Sequence, residues 1–173
     1  MQLASRPAAL RIIVFTDIQG STSLFERLGD AVARSAGREH DDIVRACLRR
    51  HAGHELKHTG DGVMASFDSV ADAMTCAIAI QRALAERNRA QPERAIHVRI
   101  GINAGEPISE DGQLFGTSVN AAARICAQAQ PGQILVADVV RLLATGKDMR
   151  FVDRGWFALR GLPARHHLYE VRW

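Results

Sequence analysis

The sequence predicts a single α/β domain in which strands and helices alternate around one sheet. The chain has 173 residues, which is enough for one domain with its own hydrophobic core. Apolar residues make up 47% of the chain and charged residues 24%, as is ordinary for a globular protein. Stretches with strand spacing are interleaved with stretches of helical spacing, without repeats or linkers. We therefore assign residues 1–173 to one domain, with a core that begins near residue 10.

The first predicted elements are a buried strand and a long helix. Residues 10–17 form a nearly continuous apolar run, the pattern of a central strand covered on both faces. Ser23 and Glu26 have the spacing of a capping box at a helix start, and the helix should continue toward His51. It is expected to break near Gly29 or Gly37.

A hairpin, a helix and an alternating strand come next. Residues 54–67 read as two strands joined by a tight turn at Gly60–Asp61–Gly62. Residues 69–89 show apolar positions at helical spacing. Residues 96–104 alternate apolar and polar side chains, which predicts a strand with two distinct faces.

The second half of the chain continues the alternation. A polar turn at 109–112 precedes a helix that begins near Thr117 and ends by Pro131. The remaining predicted elements are a strand at 134–136, a helix at 138–144, and strands at 150–158 and 167–172.

Composition argues against nucleic-acid and membrane partners. The net charge of +3 is too small to require nucleic acid, and the strand at 96–104 carries no aromatic residue on which RNA bases would stack. No apolar stretch approaches the roughly 18–20 residues that span a membrane. Residues 1–7 are too few and too polar for a secretory signal. The expected location is the cytoplasm, where Cys47, Cys76 and Cys126 would stay reduced.

Two aspartates stand where strands meet turns. Asp17 ends the first apolar run, and Asp61 lies in the hairpin turn. Carboxylates at neighbouring strand ends can bind divalent metal ions, as phosphoryl transfer on a nucleotide requires. Aspartate also favours turns and helix caps for purely structural reasons, so the pair is judged by what surrounds it.

The segment Gly20–Ser21–Thr22 opens the predicted first helix. Backbone N–H groups that are free at a helix start, with the helix dipole behind them, suit the phosphates of a nucleotide. Ordinary helix capping would explain the same residues, and it does not exclude phosphate binding.

Asn120 and Arg124 are four residues apart on a predicted helix and therefore share one face. An arginine there can stabilise the charge of a phosphorus transition state. The alternative is a solvated polar stripe. The small or apolar spacer residues, Val119 and the alanines at 121–123, favour the functional interpretation.

Lys57 stands out because 22 residues are lysine or arginine and only Lys57 and Lys147 are lysine. Lysine is a compact point donor, whereas arginine is a rigid fork, and the two are not interchangeable at a recognition site. Lys57 lies four residues before Asp61. It is thus a candidate for reading a ligand group near the metal site.

Four segments, in the same order along the chain as in the family, resemble the class III nucleotidyl cyclase catalytic domain. The resemblance spans about residues 10 to 173. The four segments are Phe15–Thr22, Lys57–Gly62, Arg99–Gly105 and Phe115–Arg124. The resemblance implies a ferredoxin-like βαββαβ core with a C-terminal extension. It also implies a head-to-tail homodimer that converts ATP to 3′,5′-cyclic AMP and pyrophosphate, with two Mg²⁺ or Mn²⁺ ions per site.

The resemblance also implies roles for individual residues. Asp17 and Asp61 match the two metal-binding aspartates, and the backbone carbonyl of Ile18 matches a further metal ligand. Lys57 matches the lysine that reads the base, and Asn120 and Arg124 match the pair that orients the ribose and stabilises the transition state. Arg160, in the segment 159–163, falls where the family often has a phosphate-contacting lysine.

Gln113 departs from the family pattern, which usually has an acidic or small hydroxyl residue before the step Leu114–Phe115–Gly116. A glutamine can accept a hydrogen bond from the adenine amine, but it can also turn over and donate to guanine O6. Adenylate cyclase is the first hypothesis. The alternatives are a cyclase for GTP or a pyrimidine triphosphate, and a weakly active or inactive nucleotide-binding regulatory module.

Overall fold

The computed structural model describes residues 9–173, except for the side chains of Leu24 and Phe25. Segment 1–7, whose polarity argues against a secretory signal, lies outside the described residues. The helices are α1 (Ser21–Leu28), α2 (Asp30–Arg50), α3 (Val70–Ala90), α4 (Thr117–Gln128) and α5 (Asp138–Leu143). The strands are β1 (Arg11–Ile18), β2 (His54–His58), β3 (Val63–Phe67), β4 (Val98–Gly105), β5 (Ile108–Glu110), β6 (Gln113–Phe115), β7 (Ile134–Ala137), β8 (Phe151–Ala158) and β9 (Arg165–Val171).

Seven strands form one sheet in the order β2-β3-β1-β4-β7-β9-β8, and β5 and β6 form a separate hairpin. Only β4 and β7 are parallel neighbours among these described pairs. The order β4-β1-β3-β2 and the helices between these strands make the βαββαβ unit. The predicted ferredoxin-like core is therefore confirmed, and β7, β8 and β9 extend it at the β4 edge.

The two faces of β1 pack against different helices, as strict alternation requires. Ile12 and Val14 belong to the large buried cluster shared with residues of α2 and α3. Ile13 belongs to a second cluster with Val119 and Ala122 of α4. Because β1 lies in the middle of the core unit, both faces are buried, which explains its continuous apolar sequence.

The helix expected from Ser23 to His51 is two helices. Gly29, with φ of 73°, separates α1 from α2, whereas Gly37 lies inside α2. The capping-box prediction is wrong, because α1 begins at Ser21 and the Ser23 hydroxyl donates to the carbonyl of Gly20 at 2.8 Å. A left-handed backbone at Gly29 is what glycine adopts without steric cost.

Strand β2 contains a bulge that sequence periodicity did not predict. Glu55 lies opposite Ala65 and Lys57 lies opposite Met64, so Leu56 is the extra residue. Directly paired residues share a face, and Met64 belongs to the cluster on the α4 side. Lys57 therefore faces the α4 side, while Glu55 before the bulge and His58 after it face α2.

The region between β4 and α4 also differs from the prediction. A polar turn was expected at 109–112, and Asp111 and Gly112 do form one. The structure adds a short strand on each side of it, and the second of these, β6, contains Gln113. Both strands have three residues each and are mostly exposed, so they lack an apolar pattern that would reveal them. Within residues 9–173, no helix is both long enough and apolar enough to cross a membrane.

Candidate active site

Asp17 lies near the end of β1, directly opposite Arg99 of β4. The Arg99 guanidinium donates from Nε to Asp17 Oδ2 at 2.8 Å, and its Nη2 lies 2.7 Å from the same oxygen in an ion pair. It also donates to the carbonyl of Ala127 at 3.0 Å. Arg99 thus balances the charge of Asp17 and ties it to the C-terminal end of α4.

Asp61 lies in the β2–β3 turn, and this turn is pressed against β1. The N–H of Ile18 donates to the carbonyl of Asp61 at 2.7 Å, and the N–H of Val63 donates to the hydroxyl of buried Thr16 at 3.0 Å. A Cβ on Gly62 would lie 1.8 Å from the carbonyl oxygen of Thr16. Only glycine allows this approach, which brings the backbones next to Asp17 and Asp61 into contact.

The first turn of α1 contacts Asp61 rather than standing apart from it. Ser21 donates its hydroxyl hydrogen to Asp61 Oδ2 at 2.8 Å. Gly20, with φ of 67°, makes the change of direction from β1 into α1, and Thr22 is exposed beside it. The predicted phosphate segment and the predicted metal residue therefore share one place in the fold.

The two carboxylates line different cavities. Asp61 lines one of about 260 Å³ together with Ile18, Ser21 and residues of α2. Asp17 lines one of about 240 Å³ together with Arg99 and Cys126. Burial, with a smaller contribution from Asp17, raises the pKa of Cys126 to about 12, so this thiol is protonated at neutral pH.

These residues fit a divalent metal ion through the chemistry of their donors. Two carboxylates and the Ile18 carbonyl are hard oxygen ligands, the type that Mg²⁺ and Mn²⁺ prefer. The described residues contain no group of three or more His, Cys, Asp and Glu side chains that could hold a metal. Ions of this kind commonly share their coordination with substrate phosphates.

Lys57 and Gln113 are both exposed, and their chain neighbours pack on the same cluster. Leu56 and Leu114 both contact the group formed by Ile13, Met64, Val119 and Ala122. Strand β6 therefore approaches β2 on the α4 side of the sheet. The pair predicted to read the base lies on one side of the molecule.

Asn120 and Arg124 are exposed on α4. The spacers Val119, Ala121 and Ala122 are buried against the sheet, so they occupy the opposite face of the helix. The apolar spacers therefore carry no information about whether the polar face is solvated or functional. Within one chain, the guanidinium that contacts Asp17 belongs to Arg99.

Arg160 lies in the exposed turn after β8. Strand pairing runs from Arg11 opposite Gly105 at one end of the sheet to Asp17 opposite Arg99 at the other. The end of β7, at Ala137, lies at the Arg11 end and pairs there with Leu168 of β9, whose first residues lie toward the same end. Strand β8 runs antiparallel to β9, so the last residue of β8 also lies at the Arg11 end. Arg160 is thus at the opposite end of the strands from Asp17 of the same chain.

Two contacts of the site were missed by sequence reasoning. Arg99 belongs to the polar positions of the strand predicted at 96–104, and no role was predicted for its side chain. Only the register of β1 with β4 reveals that Asp17 is its partner. The Ser21–Asp61 hydrogen bond joins residues 40 apart, and no local pattern reports such a contact. The only available signal for Arg99 was an arginine at a polar position of a central strand.

The fold and the site define a class of protein: a ferredoxin-like domain with paired carboxylates at adjoining strand ends beside a helix start. The sequence profile of the adenylate and guanylate cyclase catalytic domain matches residues 9–171. The chain therefore belongs to the adenylate and guanylate cyclase catalytic-domain family.

Solved structures share this fold over nearly the whole chain. An adenylate/guanylate cyclase/hydrolase from Silicibacter pomeroyi is 31% identical, with a TM-score of 0.81 over 96% of this chain and 98% of that one. The adenylyl cyclase CyaB from P. aeruginosa has a TM-score of 0.83 over 95% of this chain and 94% of that one. At 22% identity, the second likeness concerns the fold alone.

Curated relatives are longer proteins. "Putative adenylate cyclase 3" of Rhizobium meliloti is 36% identical over 92% of this chain, which spans 28% of that protein. The adenylate cyclase of Podospora anserina is 35% identical over 76% of this chain, which spans 7% of that protein. The chain thus corresponds to a small part of each of these relatives.

Proposed function

We propose that the chain is an adenylate cyclase domain that converts ATP to 3′,5′-cyclic AMP and pyrophosphate at the interface of a head-to-tail homodimer. The observation that carries the proposal is the contact between the strand ends that bear Asp17 and Asp61, where the Ile18 N–H meets the Asp61 carbonyl at 2.7 Å. Family membership over residues 9–171 and relatives named adenylate cyclase support the reaction class.

The metal ligands in this proposal are Asp17, Asp61 and the carbonyl of Ile18. When bound, Mg²⁺ or Mn²⁺ would make the ribose 3′-hydroxyl more acidic and would neutralise charge on the triphosphate. Arg99 and Ser21 donate to Oδ2 of Asp17 and of Asp61. A carboxylate has two acceptor oxygens, so each could bind a metal ion through Oδ1 and keep its hydrogen bond.

The phosphates would bind at the start of α1. The backbone N–H groups after Gly20 point out of the first helical turn, where the dipole favours an anion. Ser21 adds a hydroxyl beside Asp61, and Thr22 is exposed next to it. These groups hold the β- and γ-phosphates while the α-phosphorus faces the ribose.

The other half of the site would come from a second copy of the chain. Asn120 and Arg124 project from the exposed face of α4, where they serve no purpose inside their own chain. In the dimer Asn120 orients the ribose and Arg124 donates to the charge that develops on the phosphorane, a contribution of several kcal/mol in a dry site. Arg160, remote from Asp17 in its own chain, would act on the partner's phosphates.

Lys57 and Gln113 would read the base, and they would come from the same second copy as Asn120 and Arg124. Lys57 donates to a ring nitrogen of adenine, and the Gln113 side-chain oxygen accepts from the exocyclic amine. Because the Gln113 amide can turn over, the discrimination against guanine is weaker than a carboxylate would provide. Adenine remains the expected base, with measurable turnover of GTP.

The test is an assay of the four ribonucleoside triphosphates with Mg²⁺ and with Mn²⁺. The wild type should form cyclic AMP fastest and cyclic GMP at a detectable rate. Gln113→Asp should increase the preference for ATP over GTP by about ten-fold, the effect of about 1.4 kcal/mol, because a carboxylate accepts from adenine but cannot donate to guanine.

Three results would contradict the proposal. Nucleotide binding without any cyclic product would favour a regulatory module. Faster turnover of GTP or of a pyrimidine triphosphate would replace ATP as the substrate. Asp17→Asn or Asp61→Asn protein with undiminished activity would remove the metal site from the mechanism.

A further inference from the structure

A group of polar side chains on the α2 side of the sheet has no part in the proposed reaction. His40 and Asp41 lie on α2, and His58 is the last residue of β2. His58 Nε2 lies 3.0 Å from Asp41 Oδ2, and His40 Nδ1 lies 3.0 Å from Asp41 Oδ1. The group joins α2 to the strand that leads into the turn of Asp61.

His58 also contacts the turn itself. The N–H of Gly60 donates to His58 Nδ1 at 3.2 Å. A nitrogen that accepts a hydrogen bond carries no proton, so the neutral ring has its proton on Nε2, which donates to Asp41. One tautomer therefore makes both contacts. Gly60 has φ of 93°, so the turn begins with a backbone conformation that other residues avoid.

Asp41 is itself held from behind by His40. His40 is completely buried, and this burial lowers its pKa below the ordinary value of 6.5. The neutral ring donates from Nδ1 to Asp41, which leaves Nε2 as a buried acceptor without a partner among the described residues. Partial burial alone would raise the pKa of Asp41, but the hydrogen bonds from His40 and His58 lower it overall.

Asp61 is thus tethered from two directions. Ile18 and Ser21 hold it from β1 and α1, and the contact of Gly60 with His58 holds its turn from α2. Asp41 and Asp61 both line the cavity of about 260 Å³ between α2 and the turn. Loss of the second tether would let the turn move away from α2, while its β1 contacts remain.

We propose that His58 is a positioning residue: held by Asp41, it fixes the Gly60–Asp61 turn against α2 and so sets the direction of the Asp61 carboxylate. The inference rests on the proposed function for what Asp61 binds. The arrangement of the turn can be measured without substrate, so the inference about His58 and the proposed function can be tested separately.

The test compares His58→Ala and His58→Asn with the matched control His54→Ala. His54 is an exposed histidine at the other end of β2, so its loss changes composition without touching the turn. Asparagine at position 58 can accept from the N–H two residues ahead, as in an Asx turn. It restores the Gly60 contact without the reach to Asp41.

Three quantities are measured on folded proteins of equal far-ultraviolet circular dichroism. The first is amide exchange at Gly60 and Asp61, by NMR without nucleotide. The second is Mn²⁺ binding in the presence of 3′-deoxy-ATP. It is monitored through the decrease of the electron paramagnetic resonance signal of free Mn²⁺. The third is the pair kcat and KM for cyclase activity.

In His58→Ala, the amides of Gly60 and Asp61 should exchange about ten-fold faster, and Mn²⁺ should bind about ten-fold more weakly. The kcat should fall by about ten- to hundred-fold, because small displacements of a reacting group have effects of this size. KM for ATP should change less than kcat. His58→Asn should recover most of the exchange protection and part of kcat. His54→Ala should match the wild type.

Unchanged exchange at Gly60 and Asp61 in His58→Ala would overturn the inference, whatever the activity. Faster exchange with unchanged Mn²⁺ binding would also overturn it, since the turn would then move without affecting Asp61. A different result would contradict the proposed function, namely equal binding of Mn²⁺ and 3′-deoxy-ATP by the wild-type and Asp61→Asn proteins.

Discussion

At the residue scale, the completely buried His40 makes the chain sensitive to acid. Burial lowers the pKa of His40 in the folded chain below the 6.5 of an ordinary histidine. Between these two pKa values the unfolded chain binds more protons, so the free energy of unfolding must fall as the pH falls. The lowered pKa of Asp41 adds a further loss below pH 3.8, its ordinary pKa, as the pH falls through its folded value.

We therefore expect the free energy of unfolding to decrease as the pH falls through 6.5, the ordinary pKa of histidine, toward the lower folded-state pKa of His40. His40→Asn should flatten this dependence, because an asparagine amide can donate to Asp41 without titrating. Urea denaturation at a series of pH values measures the effect. The same substitution at exposed His54 should leave the wild-type slope, and an unchanged slope in His40→Asn would show that another group titrates.

At the element scale, α4 packs on the sheet at backbone contact. A Cβ on Gly101 of β4 would lie 2.2 Å from the backbone nitrogen of Cys126 and 2.5 Å from its Cα. This closeness fixes the height of α4 above β4, and α4 carries Asn120 and Arg124 on its outer face.

Gly101→Ala should therefore push α4 away from the sheet and destabilise the chain by about 1–3 kcal/mol, the range for overpacking a core. Urea denaturation measures the loss. Adding Cys126→Ala should not restore stability, because the two nearest contacts are to backbone atoms. Full recovery in the double variant would show that the side chain, not the helix backbone, sets the spacing.

The sequence was sufficient for the elements with a strong internal period. The buried run of β1, the apolar positions of α3 and the alternation of β4 all predicted the observed elements to within two residues. Asp17 and Asp61 could also be placed where a strand meets a turn, whereas their pairing at one metal site stays a prediction. Each of these signals is local or depends on a short run of residues.

What the sequence did not reveal depends on register. The Asp17–Arg99 pair follows from the alignment of β1 with β4, which apolar residues on both strands do not specify uniquely. The bulge at Leu56 leaves no mark in the pattern of β2, whose residues are mostly exposed. The roles predicted for Asn120 and Arg124 stay predictions, because the surface they would act on in the proposed dimer belongs to a second copy of the chain.

At the scale of the whole molecule, the proposed site needs two copies of the chain. Asp17 and Asp61 lie at one end of the central strands, and Asn120 and Arg124 point outward from α4. A two-fold head-to-tail arrangement would complete two equivalent sites. Each copy would contribute its carboxylates to one site and its α4 residues to the other.

This arrangement predicts complementation between inactive variants. Asp17→Ala and Arg124→Ala should each lose activity alone, because every site then lacks one half. A mixture should recover up to about a quarter of wild-type activity, because half of the randomly formed dimers are mixed and each has one intact site. No recovery, under conditions where mixed dimers are shown to form, would contradict a shared site.

In the proposed dimer, the bulge in β2 would connect the two active sites through one strand. It turns Lys57 toward the α4 side and His58 toward α2. In the proposed dimer, Lys57 reads a base in one site, while His58 holds the metal-binding turn of the other. A single peptide bond joins Lys57 to His58, so nucleotide binding at one site would displace the Asp61 carboxylate of the other site. Cooperativity between the two sites would then be transmitted through the backbone of one strand.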